Sequence, residues 1–207
     1  MDRATRQHIL QVALRHFADR GYAGTSVQDI VDQAKVAKPM LYYYFESKAG
    51  LYQALIDNAH DERFRIVSEA AETGEGLREK LTAILVALFG FIQKHREVVR
   101  LAFASAFAAP GEMPEQLCYK EKCQRNFEFF HELMKDGMAT GELDDRFDSR
   151  DLTIAWYGLM NIYAMGQVLQ PEISYTEKTA RSVVDLFFNG ADARRKKKGP
   201  VRSKRKG

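Results

Sequence analysis

The stretch from Thr25 to Lys48, TSVQDIVDQAKVAKPMLYYYFESK, constrains this chain more than any other. It carries two short helical patterns separated only by Lys35-Val36-Ala37, a break that admits a tight turn between helices and nothing larger. The first pattern opens on an expected reciprocal cap, with Thr25 accepting from the amide of Gln28 and Gln28 reaching back to Thr25. Its apolar residues Val27, Ile30, Val31 and Ala34 fall on one face at helical spacing. The second pattern begins Lys38-Pro39 and carries Tyr42, Tyr43 and Tyr44 in succession. Consecutive helical residues are about 100° apart, so these rings cannot all point inward. Leu41 and Phe45, four apart, form the inward pair. Exposed rings beside lysines, on a short helix held at a fixed angle by its neighbour, make a surface suited to reading DNA.

Upstream, a helix is expected from Arg3 to Arg20, with Ile9, Val12, Ala13 and Phe17 on one face and Gly21 as its stop. Gly24 allows a turn before the next cap. None of these three amphipathic helices can bury its face alone, so they are read as one compact unit with a helix-turn-helix inside it.

The in-register set Ile9, Phe17, Gly21, Thr25, Ile30, Ala34, Val36, Leu41-Tyr42, Phe45, Lys48 and Leu51 resembles the DNA-binding domain of the TetR family of transcriptional regulators. The resemblance covers roughly the first quarter of the chain and implies that the second helix of the pair enters the major groove of an operator. Lys38, Pro39, Met40, Tyr42 and Tyr43 are then the base-facing set: Lys38 reaches guanine or phosphate, and Met40 and Pro39 offer apolar contact, for example to a thymine methyl. Thr25 and Ser26 at one helix start, and Ser47-Lys48 at the next, suit phosphate through exposed amides and a hydroxyl or ammonium. Two positions depart from the family pattern. Ala37 stands where a serine commonly opens the recognition helix, and Pro39 where a glycine is frequent. Both changes move specific contact toward Lys38 and the tyrosines.

Beyond Ser47 a long helix is expected to about Ala71, then a turn at Thr73-Gly74-Glu75-Gly76. The next helix has Leu77, Leu81, Ile84, Leu85, Leu88, Phe91 and Ile92 on one side and Val86 and Phe89 on the other, which places it at the centre of a bundle. Further helices follow through Phe103 and Phe107, from Tyr119 to Met138, from Leu152 to Gln170 after a cap at Asp148 or Ser149, and after a capping box at Ser174 and Glu177. No segment sustains a period of two. The expected fold is all-α with about nine helices: a helix-turn-helix domain over 1–47, a helical effector-binding and dimerisation domain over 48–193, and a basic disordered tail over 194–207.

The last two helices are apolar beyond the needs of one core. Leu152, Ala155, Trp156, Leu159 and Tyr163 form one stripe, with Ile154, Gly158, Asn161 and Ile162 elsewhere on the cylinder. A symmetric homodimer through this pair is expected, as the resemblance also implies, and two-fold symmetry calls for a palindromic operator. Phe89, Phe103, Phe107, Phe127, Phe130, Trp156 and Tyr157 are the candidate lining of an apolar effector cavity, with Asn161, Arg100 and His131 as polar anchors. The resemblance implies a repressor released by its ligand; the alternatives are a ligand-responsive activator and a helical module that binds protein.

Other classes find little support. Arg3, Arg6, Arg15, Asp19 and Arg20 exclude a secretory signal. The 19 uncharged residues from Leu152 to Gln170 include Asn161, Gln167 and two glycines, which fits a buried helix better than a membrane span. A cytoplasmic location is expected. Cys118 and Cys123 match no zinc spacing and read as small hydrophobes. His131-Glu132 begins like a zinc-protease helix, but Lys135 stands where the second histidine belongs, and neither a P-loop nor a Gly-x-Ser-x-Gly motif occurs. No catalytic residue, metal or cofactor is therefore assigned. The chain's net charge is +3, yet 194–206 alone holds nine basic residues and no acidic ones, so the remainder is net acidic.

Overall fold

The computed structural model describes residues 2–109, 111–114, 117 and 119–190. Nine α-helices and no strand occur among them, as the missing period of two requires. They are α1 (Arg3–Arg20), α2 (Val27–Ala34), α3 (Lys38–Phe45), α4 (Lys48–Ala71), α5 (Leu77–Lys94), α6 (Arg96–Phe107), α7 (Lys120–Ala139), α8 (Ser149–Leu169) and α9 (Glu177–Asn189). Cys118 and the basic tail lie outside the described residues. No helix among the described residues is long and apolar enough to cross a membrane.

Two hydrophobic cores organise the chain. The first gathers Ile9, Ala13 and Phe17 of α1, Ile30 and Val31 of α2, and Leu41 and Phe45 of α3. It does not stop at residue 47: Leu51, Tyr52, Leu55 and Ile56 of α4 belong to it, and so does Leu101 of α6. The second core is built around α5, whose Leu81, Ile84, Leu85 and Phe89 pack with Phe130 and Met134 of α7, Trp156 and Met160 of α8, and Val183 and Val184 of α9. Among the described residues, α4 alone of the helices contributes buried residues to both cores, Val67 and Ala71 joining the second. Val86, expected to pack on the far side of α5, is instead exposed, because α9 and α8 cover the helix on its other faces.

The caps explain where several helices begin. Asp2 accepts from the amide of Ala4 at 3.0 Å and opens α1, and Asp148 accepts from Arg150 at 2.7 Å and opens α8. The expected box at Ser174 and Glu177 is corrected to Thr176 and Thr179, two residues later, while Ser174 accepts from the Gln93 side chain at 2.8 Å. The box expected at Thr25 and Gln28 is likewise corrected to Ser26 and Asp29.

Candidate nucleic-acid interface and apolar cavity

The reading surface is assembled from the α2–α3 turn upward. Lys35 takes the left-handed conformation that ends α2 (φ 53°, ψ 43°), and the amide of Val36 returns to the Val31 carbonyl at 3.1 Å. This closure fixes the angle at which α3 leaves. Ala37 supplies no side-chain cap, and Pro39 occupies the first turn, where no intrahelical donor is needed. With Leu41 and Phe45 buried, Lys38, Pro39, Met40, Tyr42 and Tyr43 all face outward, Tyr43 at 65 % exposure. Tyr44 takes the intermediate course: its ring packs on the first core and its hydroxyl donates to the Asp2 carbonyl at 3.2 Å.

The helix is held from behind by a close junction. Glu46 ends α3 at φ 63°, and Ser47 caps α4 by accepting from the Gly50 amide at 2.9 Å. A Cβ on Gly50 would stand 2.1 Å from the Phe45 carbonyl oxygen, so the approach requires glycine. Lys48 lies with its ammonium 4.2 Å over the Tyr22 ring, and partial burial lowers its pKa.

The expected phosphate clamps divide. Ser26 is exposed at the start of α2, its hydroxyl accepting from the Asp29 amide at 3.0 Å while Asp29 accepts from the Ser26 amide at 3.4 Å. The Ser26 hydrogen bonds hold the Asp29 carboxyl below its ordinary range, so this carboxylate already occupies part of the helix terminus. Thr25 is corrected: it is 1 % exposed, and its hydroxyl lies 3.1 Å from the His16 carbonyl and 2.8 Å from that of Gly21. That side chain ties α1 to α2 and has no hydroxyl left for DNA.

A second feature lies among α4, α5, α6 and α8, a cavity of about 300 Å³ that also reaches Cys123 of α7. Its wall is apolar over Leu88, Ile92, Val98, Val99, Phe103 and Met160, and its polar groups are His60, Arg63 and Asn161. Of the seven expected lining residues, Phe103 and Phe107 are present, Phe107 at the rim with 83 % exposure. Phe89, Phe130 and Trp156 are corrected to filled core, each at most 2 % exposed. Phe127 and Tyr157 are also absent from the wall: they pack on each other at 5.8 Å, with Arg150 over Phe127. Among the expected anchors only Asn161 reaches the cavity, since Arg100 pairs with Asp19 at 3.2 Å and the His131 imidazole lies 2.9 Å from the Ser149 hydroxyl. Sequence reasoning missed His60 and Arg63. The alanines at 59, 102, 106 and 164, which leave the space that larger side chains would fill, are the signal that could have found them.

His60 stacks on Tyr119 with ring centroids 5.9 Å apart, and burial, then Arg63 and Lys122, push its pKa down. The Arg63 guanidinium sits 3.4 Å from the Asn161 amide oxygen, 3.9 Å from the Met160 sulfur and 5.5 Å over the Tyr157 ring. Glu128, His131 and Glu132 are close enough to share an ion. However, Glu132 is paired with Lys135 at 2.9 Å and His131 is bonded to Ser149.

The two features are joined through α6. One side of this helix gives Leu101 and Ser105 to the reading unit, and the other gives Val98, Val99, Ala102 and Phe103 to the cavity. Along α4, Lys48 and Arg63 stand about 22 Å apart at 1.5 Å per residue.

Residues 9–55 match the profile described as bacterial regulatory proteins, tetR family. The transcriptional activator FasR of Mycolicibacterium smegmatis is 33 % identical over 112 residues, covering 54 % of this chain and 51 % of the activator, so the chain spans about half of that relative's length. The repressor KstR2 of the same organism is 26 % identical over 162 residues, covering 73 % of this chain and 78 % of the repressor. Among solved structures, the regulator FadR of Bacillus subtilis in complex with stearoyl-CoA superposes with a TM-score of 0.72 at 18 % identity, covering 90 % of this chain and 99 % of that one. At that identity it bears on the fold alone.

Proposed function

Because the chain belongs to the TetR family of transcriptional regulators, we propose that it binds operator DNA as a homodimer and lets go when its cavity fills. The observation that carries this reading is the outward set Lys38, Pro39, Met40, Tyr42 and Tyr43 on a helix braced by Leu41 and Phe45. Such a helix presents its N-terminal residues to base edges in the major groove. Lys38 supplies the ammonium for guanine or phosphate, Met40 and Pro39 the apolar contact, and Tyr42 and Tyr43 a flat ring with a hydroxyl. Ser26 and Lys48 flank the face and serve the phosphates. Much of the discrimination then comes from apolar contact and DNA shape, since Ala37 and Pro39 offer no side-chain hydrogen bond.

Dimerisation is read from α8 and α9. Ile154, Ile162 and Leu169 on α8, and Leu186 on α9, remain exposed in the monomer, with Gly158 on the same face. Ile154, Gly158 and Ile162 belong to the second apolar set noted on this helix in the sequence, whereas Trp156 of the first stripe is buried in the core. Packing of this pair against its mate gives a four-helix interface and a two-fold reader. The operator is then palindromic, with half-sites about 34–36 Å apart or a multiple of that spacing.

A ligand acts only if it binds the DNA-competent and DNA-incompetent states unequally. The two-sided α6 and the continuous α4 support such a difference, since an occupant that moves α6 also moves the Leu101 contact under the reading head. A small, largely apolar effector fits the wall. Repression relieved by that effector is the proposed output; FasR is named an activator and KstR2 a repressor, so a transcription assay with the bound promoter decides the sign. Selection of duplexes from a random pool by the purified full chain tests the core of the reading. A two-fold symmetric consensus is expected, and an unenriched pool favours a helical module that binds protein.

A further inference from the structure

We propose that the effector is an amphiphile with one anionic head, its carboxylate seated on Arg63 and its apolar body laid along α6. This deepens the effector reading above and rests on it.

Among the described residues that line the cavity, Arg63 is the sole arginine or lysine, and none is an aspartate or glutamate. The nearby aspartates of α4 are committed elsewhere: Asp57 pairs with Lys122 at 3.4 Å, and Asp61 with Lys122 and with Arg125 at 3.0 Å. Among the described residues no carboxylate lies within ion-pair distance of Arg63, which is half-buried. Its contacts are soft ones, a thioether, a long bond to an amide oxygen and a ring face. A guanidinium stays charged at every physiological pH and carries five donors in a planar fork. Partial removal from water without a matching anion is costly, and a carboxylate bound through two parallel N–H···O bonds offsets that cost.

The remaining groups agree. His60, the histidine of the lining, has its pKa lowered by burial, so near neutral pH it adds no competing cation and can donate or accept one hydrogen bond. Asn161 stands beside Arg63 with an amide that can serve the same head. From there Val98, Val99, Ala102 and Phe103 continue as an apolar track toward Phe107 at the rim. At about 300 Å³ the cavity lies at the small end of ligand pockets. A medium-chain monocarboxylate fills it; a nucleotide-bearing thioester would have to leave most of its bulk outside.

Titration calorimetry of the full chain near neutral pH, with decanoate, 1-decanol and decanoyl-CoA as probes below their micellar concentrations, tests the assignment. Decanoate is expected to bind about 10- to 100-fold more tightly than decanol, the usual worth of hydrogen bonds to a charged group. Arg63→Gln should bring the two to parity by weakening decanoate and leaving decanol unchanged, and Arg63→Lys should recover part of the preference. Melting curves of both variants, and the retained decanol affinity, establish that the cavity is intact. Equal binding of decanoate and decanol by the unaltered chain, no binding of either, or a preference that survives Arg63→Gln overturns the proposal. So does decanoyl-CoA binding more tightly than decanoate and without regard to Arg63. Operator affinity is measured in parallel. If DNA is bound but the carboxylate preference is missing, this inference fails alone; if the preference is present but DNA is not bound, the regulator reading fails and the carboxylate site stands.

Discussion

The hydroxyl of Tyr52 lies 2.7 Å from that of Ser105, buried between α4 and α6. Ser105 spends its own proton on the Leu101 carbonyl at 2.8 Å, so Tyr52 is the donor of the pair. Burial raises the Tyr52 pKa and keeps that proton in place. This bond ties the helix that carries Lys48 and Arg63 to the helix that lines the cavity, and it sits on the side of α6 that faces the reading unit.

Tyr52→Phe removes the donor and leaves a buried acceptor partly unsatisfied. A loss of about 1 kcal/mol is expected, read as a lower midpoint in urea at unchanged slope. If α6 transmits occupancy to the reading head, the same variant should also reduce the effect of a cavity ligand on operator affinity. A full response in a destabilised protein would place the coupling elsewhere.

Gly50→Ala drives a Cβ into the Phe45 carbonyl, and backbone cannot yield as a side chain can. Destabilisation of about 2 kcal/mol or more is expected, together with loss of DNA binding, because the α3–α4 junction sets the pose of the recognition helix. A variant as stable as the parent would show that this junction is looser than the geometry implies.

Thr25→Val keeps the shape but removes the hydroxyl that meets the His16 and Gly21 carbonyls. Stability should fall by about 1 kcal/mol, while the salt dependence of DNA affinity keeps its slope, since no phosphate contact is lost. A shallower slope would return Thr25 to the phosphate-binding set.

His60 gives a pH signature. Its folded pKa lies below its ordinary value of 6.5, so the unfolded chain takes up a proton before the folded one does. The stability tied to its neutral form is therefore present above about pH 6.5 and is lost as the pH falls toward the lower, folded value. Denaturant titrations at a series of pH values should show that loss, reduced in His60→Gln. An identical pH dependence in the variant would remove His60 as its source.

Ile162→Glu places a charge in the centre of the exposed α8 face. The chain should sediment as a monomer and bind a palindromic duplex more weakly, with its melting temperature little changed, since Ile162 is already in water in the monomer. An unaltered dimer would move the interface off this face.

Much of the reading unit is legible in the chain because the spacing leaves little choice. Leu41 and Phe45 lie on one helical face, so Tyr42 and Tyr43 must turn away from it, and the structure has them exposed. The choice between Thr25 and Ser26 is not legible: both are hydroxyls, and each is followed three residues later by a side chain able to complete a box. Tertiary contact decides it, because Thr25 meets two carbonyls at the end of α1 and Ser26 is left to cap. The cavity is hidden for a related reason. Large rings such as Phe89, Phe130 and Trp156 fill space, whereas a cavity forms where facing helices carry alanines, and a single helix pattern does not reveal what faces it. Arg63 looks like an ordinary surface arginine until the partners of Asp57 and Asp61 are known.

The most direct test of the central claim is the affinity of the full chain for its selected palindromic duplex, measured by fluorescence anisotropy across a salt series. The parent should bind with a steep linear fall of log affinity against log salt. Lys38→Ala combined with Tyr43→Ala should lose specific binding while retaining the parent's fold and dimer. Undiminished binding by that double variant would contradict the assignment of α3 as the element that reads DNA.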